Sequence, residues 1–333
     1  MNKQILLVNR PKGKPQTSDF KFEEIDKPTA RDGEVLLKTL YVSVDPYLRG
    51  RMRDEKSYIE PFELDAPVKS SIVAIVEESK HDQYKEGDHL VGMLDWKMYQ
   101  TSDASELRPA DPDQAPLSAY LGILGMTGLT AYFGMTDIGE PQEGETLLVS
   151  GAAGAVGSVA SQIGKIYGMK VIGIAGSDEK INMIQEQFDV DAGINYKSTD
   201  DMTAAIKDST PDGIDVYYDN VGGEILDAAM NKINRHGRVI NCGAIALYNE
   251  TGQPTGPRLE VTLVKKSVKM QGFIVSNYQD RFQEGIKQLA QWLQEGKLKH
   301  EETIVDGFDE IPQAFIDLFD GKNKGKMVVK VGD

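Results

Sequence analysis

The residues best suited to chemistry lie mid-chain, in "LLVSGAAGAVGSVASQIGK", Leu147 to Lys165. Strand-forming residues from Thr146 to Ser150 lead into a turn of small residues, and a helical pattern follows from Val156, the order that a dinucleotide-binding loop requires. Set against G-x-G-x-x-G, the turn reads Ala152, Ala153, Gly154, Ala155, Val156, Gly157. Alanine in the first place keeps the side chain small at the tight turn. Gly154 permits close approach of a phosphate, and Gly157 lets the helix pack on the strand. The helix would present backbone N–H groups to a pyrophosphate.

The choice of cofactor falls to the end of the next strand, "VIGIAGSDEK". An NAD enzyme carries an acid there to bind the ribose hydroxyls; this chain has Ala175 and then Gly176. With no acid to repel a 2′-phosphate, Ser177, Lys180 and Tyr196 are candidates to receive one. Asp178 argues the other way, and Lys180 reads equally well as a solvated residue of the first helical turn. The expected cofactor is NADPH.

The single cysteine, Cys242, and four scattered histidines, His81, His89, His236 and His300, form no zinc-ligand pattern, so no metal site is expected. Each histidine reads as a surface residue. No Tyr-x-x-x-Lys occurs either. A hydride-transferring enzyme so equipped is poorly placed to polarise an isolated carbonyl. A conjugated C=C bond is an easier target, because hydride at the β-carbon develops an enolate that hydroxyl donors can stabilise.

At 333 residues the chain has length for two domains. With 40% hydrophobic and 27% charged residues it reads as a packed globular protein. Its net charge of −15, with no basic run, argues against nucleic acid or an anionic membrane surface as partner. No segment resembles a signal-peptide core or a membrane span, and the cysteine count suits a reducing compartment, so a cytoplasmic location is expected.

The first third reads as a mostly β module: "GEVLLKTLYVSVDP", "SSIVAIVEES" and "GDHLVGML" are strand-like runs bounded by turn residues. From Gly125 strand and helix patterns alternate. The strands are "ETLLVSG", "KVIGIAG", "AGINY", "IDVYYDNVG", "GRVINCGAI" and "KMQGFIV"; the helices are 156–167, 178–188, 199–208 and 225–233. That alternation predicts an α/β fold with a doubly wound parallel sheet. The tail "IVDGF…GKMVVKV" returns to strand character. The expected organisation is a β module over 1–124, completed by 301–333, and a cofactor domain over 125–300.

Several ordered motifs resemble the zinc-independent medium-chain dehydrogenase/reductase superfamily, in its branch of leukotriene B4 12-hydroxydehydrogenases, prostaglandin reductases and alkenal reductases. They are "VSVDPYLRGRM" (42–52), "GMTGLTAYFG" (125–134), "GAAGAVGSVASQIGK", "GSDEK", "YDNVGGE" (218–224), "NCGAIALYN" (241–249) and "MQGFIV" (270–275). The resemblance implies a GroES-like substrate domain, a Rossmann cofactor domain with the active site in the cleft between them, NADPH as hydride donor, and a homodimer. It implies cofactor contacts from Ala153, Gly154, Ala155, Val156, Gly157, Lys180, Tyr196, Asn220, Cys242, Gly243, Ala244, Ile245, Tyr248, Phe273, Ile274, Val275 and Asn323. Asn220 reads equally as a strand-end turn former, and Phe273 and Ile274 as core strand residues.

The candidate catalytic hydroxyls are Tyr248, beside the nicotinamide by the resemblance, and Tyr47 and Tyr58 on the β module; each also reads as a packing aromatic. Arg49, Arg51 and Arg53 read as a solvated loop or, alternatively, as a partner for a substrate carboxylate. The expected activity is NADPH-dependent reduction of α,β-unsaturated ketones or aldehydes, small-molecule electrophiles. The alternatives are a quinone reductase and a non-catalytic NADPH-binding sensor or scaffold.

Overall fold

The computed structural model describes residues 2–332, which form two compact units. Among these, the first comprises 2–121, Glu302–Asn323 and 327–332, and the second comprises Gly122–Glu301 with Lys324–Lys326.

The first unit is built on antiparallel strands. Val35–Ser43 pairs with Lys69–Ser79, which pairs in turn with His89–Asp95, so the three strand-like runs of the first third do form adjacent strands. The tail returns as Glu302–Asp306 and Lys326–Lys330, and Val328 to Lys330 pair with Tyr41 to Ser43. The inward residues of both sheets and of helix Ile311–Asp317 fill one core, in which Leu37, Ile72, Trp96 and Phe315 are fully buried.

The second unit carries six strands: β1 (Thr146–Ser150), β2 (Lys170–Ala175), β3 (Ala192–Asn195), β4 (Ile214–Asp219), β5 (Ile233–Asn241) and β6 (Lys269–Gly272). Every pairing is parallel and the spatial order is 3-2-1-4-5-6, a doubly wound Rossmann sheet. All five residues of β1 are buried, as befits a strand covered on both faces. The crossovers are helices α1 (Ala155–Ile166), α2 (Asp178–Phe188), α3 (Met202–Ser209), α4 (Gly223–Lys232) and α5 (Glu260–Lys266), with α6 (Phe282–Gln294) after β6.

Two expected boundaries move for clear reasons. Helix α3 starts at Met202, not Thr199, because the Asp201 side chain caps it by accepting from Ala204 N–H. The run "KMQGFIV" stops being strand at Gly272, which pairs with Asn241, the last residue of β5. Beyond it Phe273 to Val275 have no ladder to join.

The glycine turn is fitted to its neighbours. Gly151 takes φ +60°, and a methyl at Gly157 would lie 2.2 Å from Gly151 O, so α1 can leave the strand this steeply only with glycine there. Ala152 is fully buried, and its methyl occupies the space a side chain on Gly173 of β2 would need, 2.9 Å from that position's ideal Cβ. The alanine in the fingerprint thus answers a glycine in the adjacent strand. We expect Gly173→Ala, which also meets Ile184, to destabilise the fold by about 1–3 kcal/mol. A thermal melt should record the loss, and adding Ala152→Gly should recover part of it; an unchanged melting temperature for Gly173→Ala would contradict this packing.

Candidate active site

Because β1 to β6 are parallel, their carboxyl ends share one edge, where ligands of open α/β sheets bind. That edge gathers the glycine turn after β1, Gly176 and Ser177 after β2, Tyr196 after β3, Asn220 after β4, Cys242 to Ile245 after β5, and Phe273 to Val275 after β6. Of the expected site residues, Tyr47, Tyr58 and Asn323 belong to the first unit and the rest to the second.

The turn fits a dinucleotide phosphate. No side chain caps α1 at Gly154, whereas Ser177 caps α2. Gly154 has ordinary extended torsions, and a methyl on it would meet only Gly151 O, at 3.2 Å. A side chain at 154 would be tight against that backbone oxygen, and glycine also leaves the turn open to an approaching phosphate.

The edge is organised by a residue the sequence reading passed over. Oδ1 of buried Asp219 accepts from Ser150 Oγ (2.9 Å), Tyr217 Oη (2.8 Å), Val221 N (3.0 Å) and Gly222 N (2.9 Å). Its main-chain carbonyl accepts from Cys242 N and Gly243 N. Asn220 completes the arrangement, donating through N to Ser150 Oγ (2.9 Å) and through Nδ2 to Ser150 O (2.7 Å). Asn220 thus ties the end of β4 to the end of β1. Burial and Asp219 together push the Tyr217 phenol well up, so it serves as a permanent donor.

At the end of β2, Ala175 is buried and the Tyr196 ring lies over Gly176, where any Cβ would come within 2.9 Å of it. An acid at either place would be buried or would displace Tyr196. Asp178, the one nearby argument for NAD, accepts from Asn195 Nδ2 (2.7 Å). Lys180 is half-buried, and burial followed by the like charges of Lys197 and Lys324 lowers its pKa.

Cys242 lies against the Tyr218 hydroxyl; its residue is partly exposed but its thiol is enclosed, and burial pushes the thiol pKa up to about 12. Tyr218 Oη in turn donates to Thr130 O (2.8 Å). Tyr248 folds back over its loop so that its phenol oxygen accepts from Ala244 N (3.3 Å). Phe273 packs edge-to-face on Tyr278, which stacks on Phe133 at 4.6 Å, so this side of the edge is an aromatic wall.

In the first unit Tyr47 is half-buried at the start of helix Leu48–Arg51, and burial, then Asp45, raise its pKa well above that of an ordinary phenol. Tyr58 is 60% exposed. The solvated-loop reading of the arginines is corrected for Arg49, which is 2% exposed and donates to Pro11 O (3.0 Å) and Gly13 O (3.0 Å from Nη2). It braces the loop near residue 12 through Nε and Nη2, while its Nη1 is buried without a hydrogen-bond partner among the described residues. Arg51 covers the Phe62 ring at 4.0 Å and donates to Glu60 O. Among the described residues no three His, Cys, Asp or Glu side chains gather as a metal-ligand group, and no helix is long and apolar enough to cross a membrane.

Two family models match: "N-terminal domain of oxidoreductase" over residues 3–110 and "Zinc-binding dehydrogenase" over 155–292. The chain is similar to YfmJ of Bacillus subtilis, 55% identical with 99% of this chain and 98% of that protein covered. It is 42% identical to prostaglandin reductase 1 of Rattus norvegicus (96% and 95% covered) and 39% identical to the NADP(+)-dependent 2-alkenal reductase of Nicotiana tabacum (99% and 97%). The crystal structure of CurA from Vibrio vulnificus in complex with NADPH superposes with a TM-score of 0.95 at 41% identity, covering 99% of both chains. With a strand-built first unit, a Rossmann second unit and relatives of this kind, the chain belongs to the zinc-independent medium-chain dehydrogenases/reductases, in the branch of prostaglandin, alkenal and curcumin reductases, and is an NADPH-dependent oxidoreductase.

Proposed function

We propose that this protein reduces the C=C bond of α,β-unsaturated ketones and aldehydes. The observation that carries the reading is the character of its candidate donors: Tyr248, anchored by Ala244 N–H, and Tyr47, a phenol kept neutral by burial. NADPH, when bound, supplies hydride. Neutral hydroxyls are weak at activating an isolated carbonyl but adequate for the oxygen of a conjugated one, where charge develops as an enolate. The similarity to a 2-alkenal reductase of Nicotiana tabacum supports this substrate class.

Roles follow from placement. Ala153 to Gly157 would hold the pyrophosphate; Lys180 and Tyr196 the 2′-phosphate; Asn220 and Cys242 to Ile245 the nicotinamide riboside; and Phe273 to Val275 the nicotinamide's flank. Asn323 is proposed as a further cofactor contact. Tyr248 would donate to the developing oxyanion, with Tyr47 and Tyr58 as the substrate-side hydroxyls from which a proton reaches the α-carbon.

A panel of enones, enals, quinones and simple ketones, followed by loss of NADPH absorbance, tests the reading. We expect turnover of enones and enals; turnover of simple ketones without enones would overturn it, and preference for quinones would favour a quinone reductase. Tyr248→Phe should lower kcat by about 10²-fold, the scale of one lost oxyanion donor. Because the Tyr47 pKa is raised, its proton is retained as pH rises past the ordinary phenol value near 10. Tyr47 should therefore contribute no alkaline fall in kcat between pH 7 and 9.

We also propose a homodimer. Strand β6 is an open sheet edge paired only with β5, and α5 beside it leaves Val261 and Val264 59% and 80% exposed. Light scattering should return twice the 36.7 kDa chain mass, and a monomer at micromolar concentration would contradict it.

A further inference from the structure

The turn at Lys324 to Lys326 packs on the glycine loop itself. Gly325 N–H donates to Ala153 O (2.7 Å), Gly325 bridges Gly154 in parallel, and Lys326 N–H donates to Glu301 O (2.9 Å). Gly325 has φ +59°, and a Cβ there would lie 1.7 Å from Glu301 O, so only glycine lets the chain pass this close. The backbone of Lys324 is thereby fixed beside the phosphate-binding turn.

From that position the Lys324 ammonium pairs with Glu179, the second residue of α2 and the neighbour of Lys180. Lys180 is half-buried, and the like charges of Lys197 and Lys324 act on it. Ammonium groups brought to the end of β2 favour a bound anion. Glu179 is the acid paired with Lys324, and its side chain is 73% exposed. The groove that Lys324 lines also carries Glu179, Glu186 and Glu301, which repel phosphate, so the anion's place is toward Lys180.

We infer that Lys324 is a cofactor-selecting residue and Glu179 its internal stand-in for the phosphate: on binding of NADPH the Lys324 ammonium leaves the Glu179 carboxylate for the 2′-phosphate. The inference rests on the NADPH dependence established above and adds two residues to it. Glu179 competes with the cofactor for the same cation, so it weakens NADPH binding while it holds α2 to the C-terminal turn. Without the 2′-phosphate the exchange has no driving force, and NADH gains nothing from Lys324.

Calorimetric titration with 2′,5′-ADP and with 5′-AMP tests this without turnover. For Lys324→Met we expect about tenfold weaker 2′,5′-ADP binding, as for loss of one charge-assisted contact, and unchanged 5′-AMP binding. For Glu179→Gln we expect 2′,5′-ADP binding several-fold tighter than in the parent, and for Lys324→Arg binding near the parent's. Equal weakening of both nucleotides in Lys324→Met, or no weakening of either, would overturn the inference and leave the ion pair a brace for α2. A parent protein that fails to distinguish the two nucleotides would overturn it through the NADPH reading itself.

Discussion

The cofactor edge depends on a single buried carboxylate. Asp219 sits at the switch point of the sheet, where the order reverses between β1 and β4, and its Oδ1 takes four donors while its carbonyl takes two more. A buried charge is tolerable only with such partners, and those partners are the site. Ser150 ends the strand that feeds the glycine turn; Val221 and Gly222 begin the turn into α4; Cys242 and Gly243 begin the loop that ends in Tyr248. One residue thus sets the mutual positions of three strand ends. Gly222 can turn its N–H to donate to Asp219 because φ +68° is open to it.

Preference for NADPH follows from shape as well as charge. An acid at Gly176 would have to displace the Tyr196 ring, and Asp178 is turned to Asn195. Lys324 pairs with Glu179, and the like charges of Lys197 and Lys324 act on Lys180. On the proposed roles of Lys180, Tyr196 and Lys324, selection for the phosphate is distributed over the ends of β2 and β3 and over a turn from the far end of the chain.

Much of this was legible in the sequence, wherever the cause is local. The glycine turn, the empty acid position and the alternation of strands and helices depend on residues a few places apart, and the strands and helices follow those patterns apart from boundaries such as the start of α3 and the end of β6. Ala152 looked like a departure from the fingerprint until Gly173, in the neighbouring strand, supplied its reason. Other features had no local sign. Arg49 is buried because the chain brings Pro11 and Gly13, some 36 residues earlier, against it. Lys324 reaches Glu179 across 145 positions. Asp219 resembles any turn aspartate until Ser150 and Tyr217 are seen on the same oxygen.

The central claim is that these strand ends and neutral hydroxyls direct hydride to carbon rather than to a carbonyl. The most direct measurement is to run the reaction with NADPH deuterated at the transferring position and an α,β-unsaturated ketone, and to locate the label by NMR. The account predicts a saturated ketone carrying deuterium at the β-carbon. An allylic alcohol with deuterium on the carbinol carbon would contradict it.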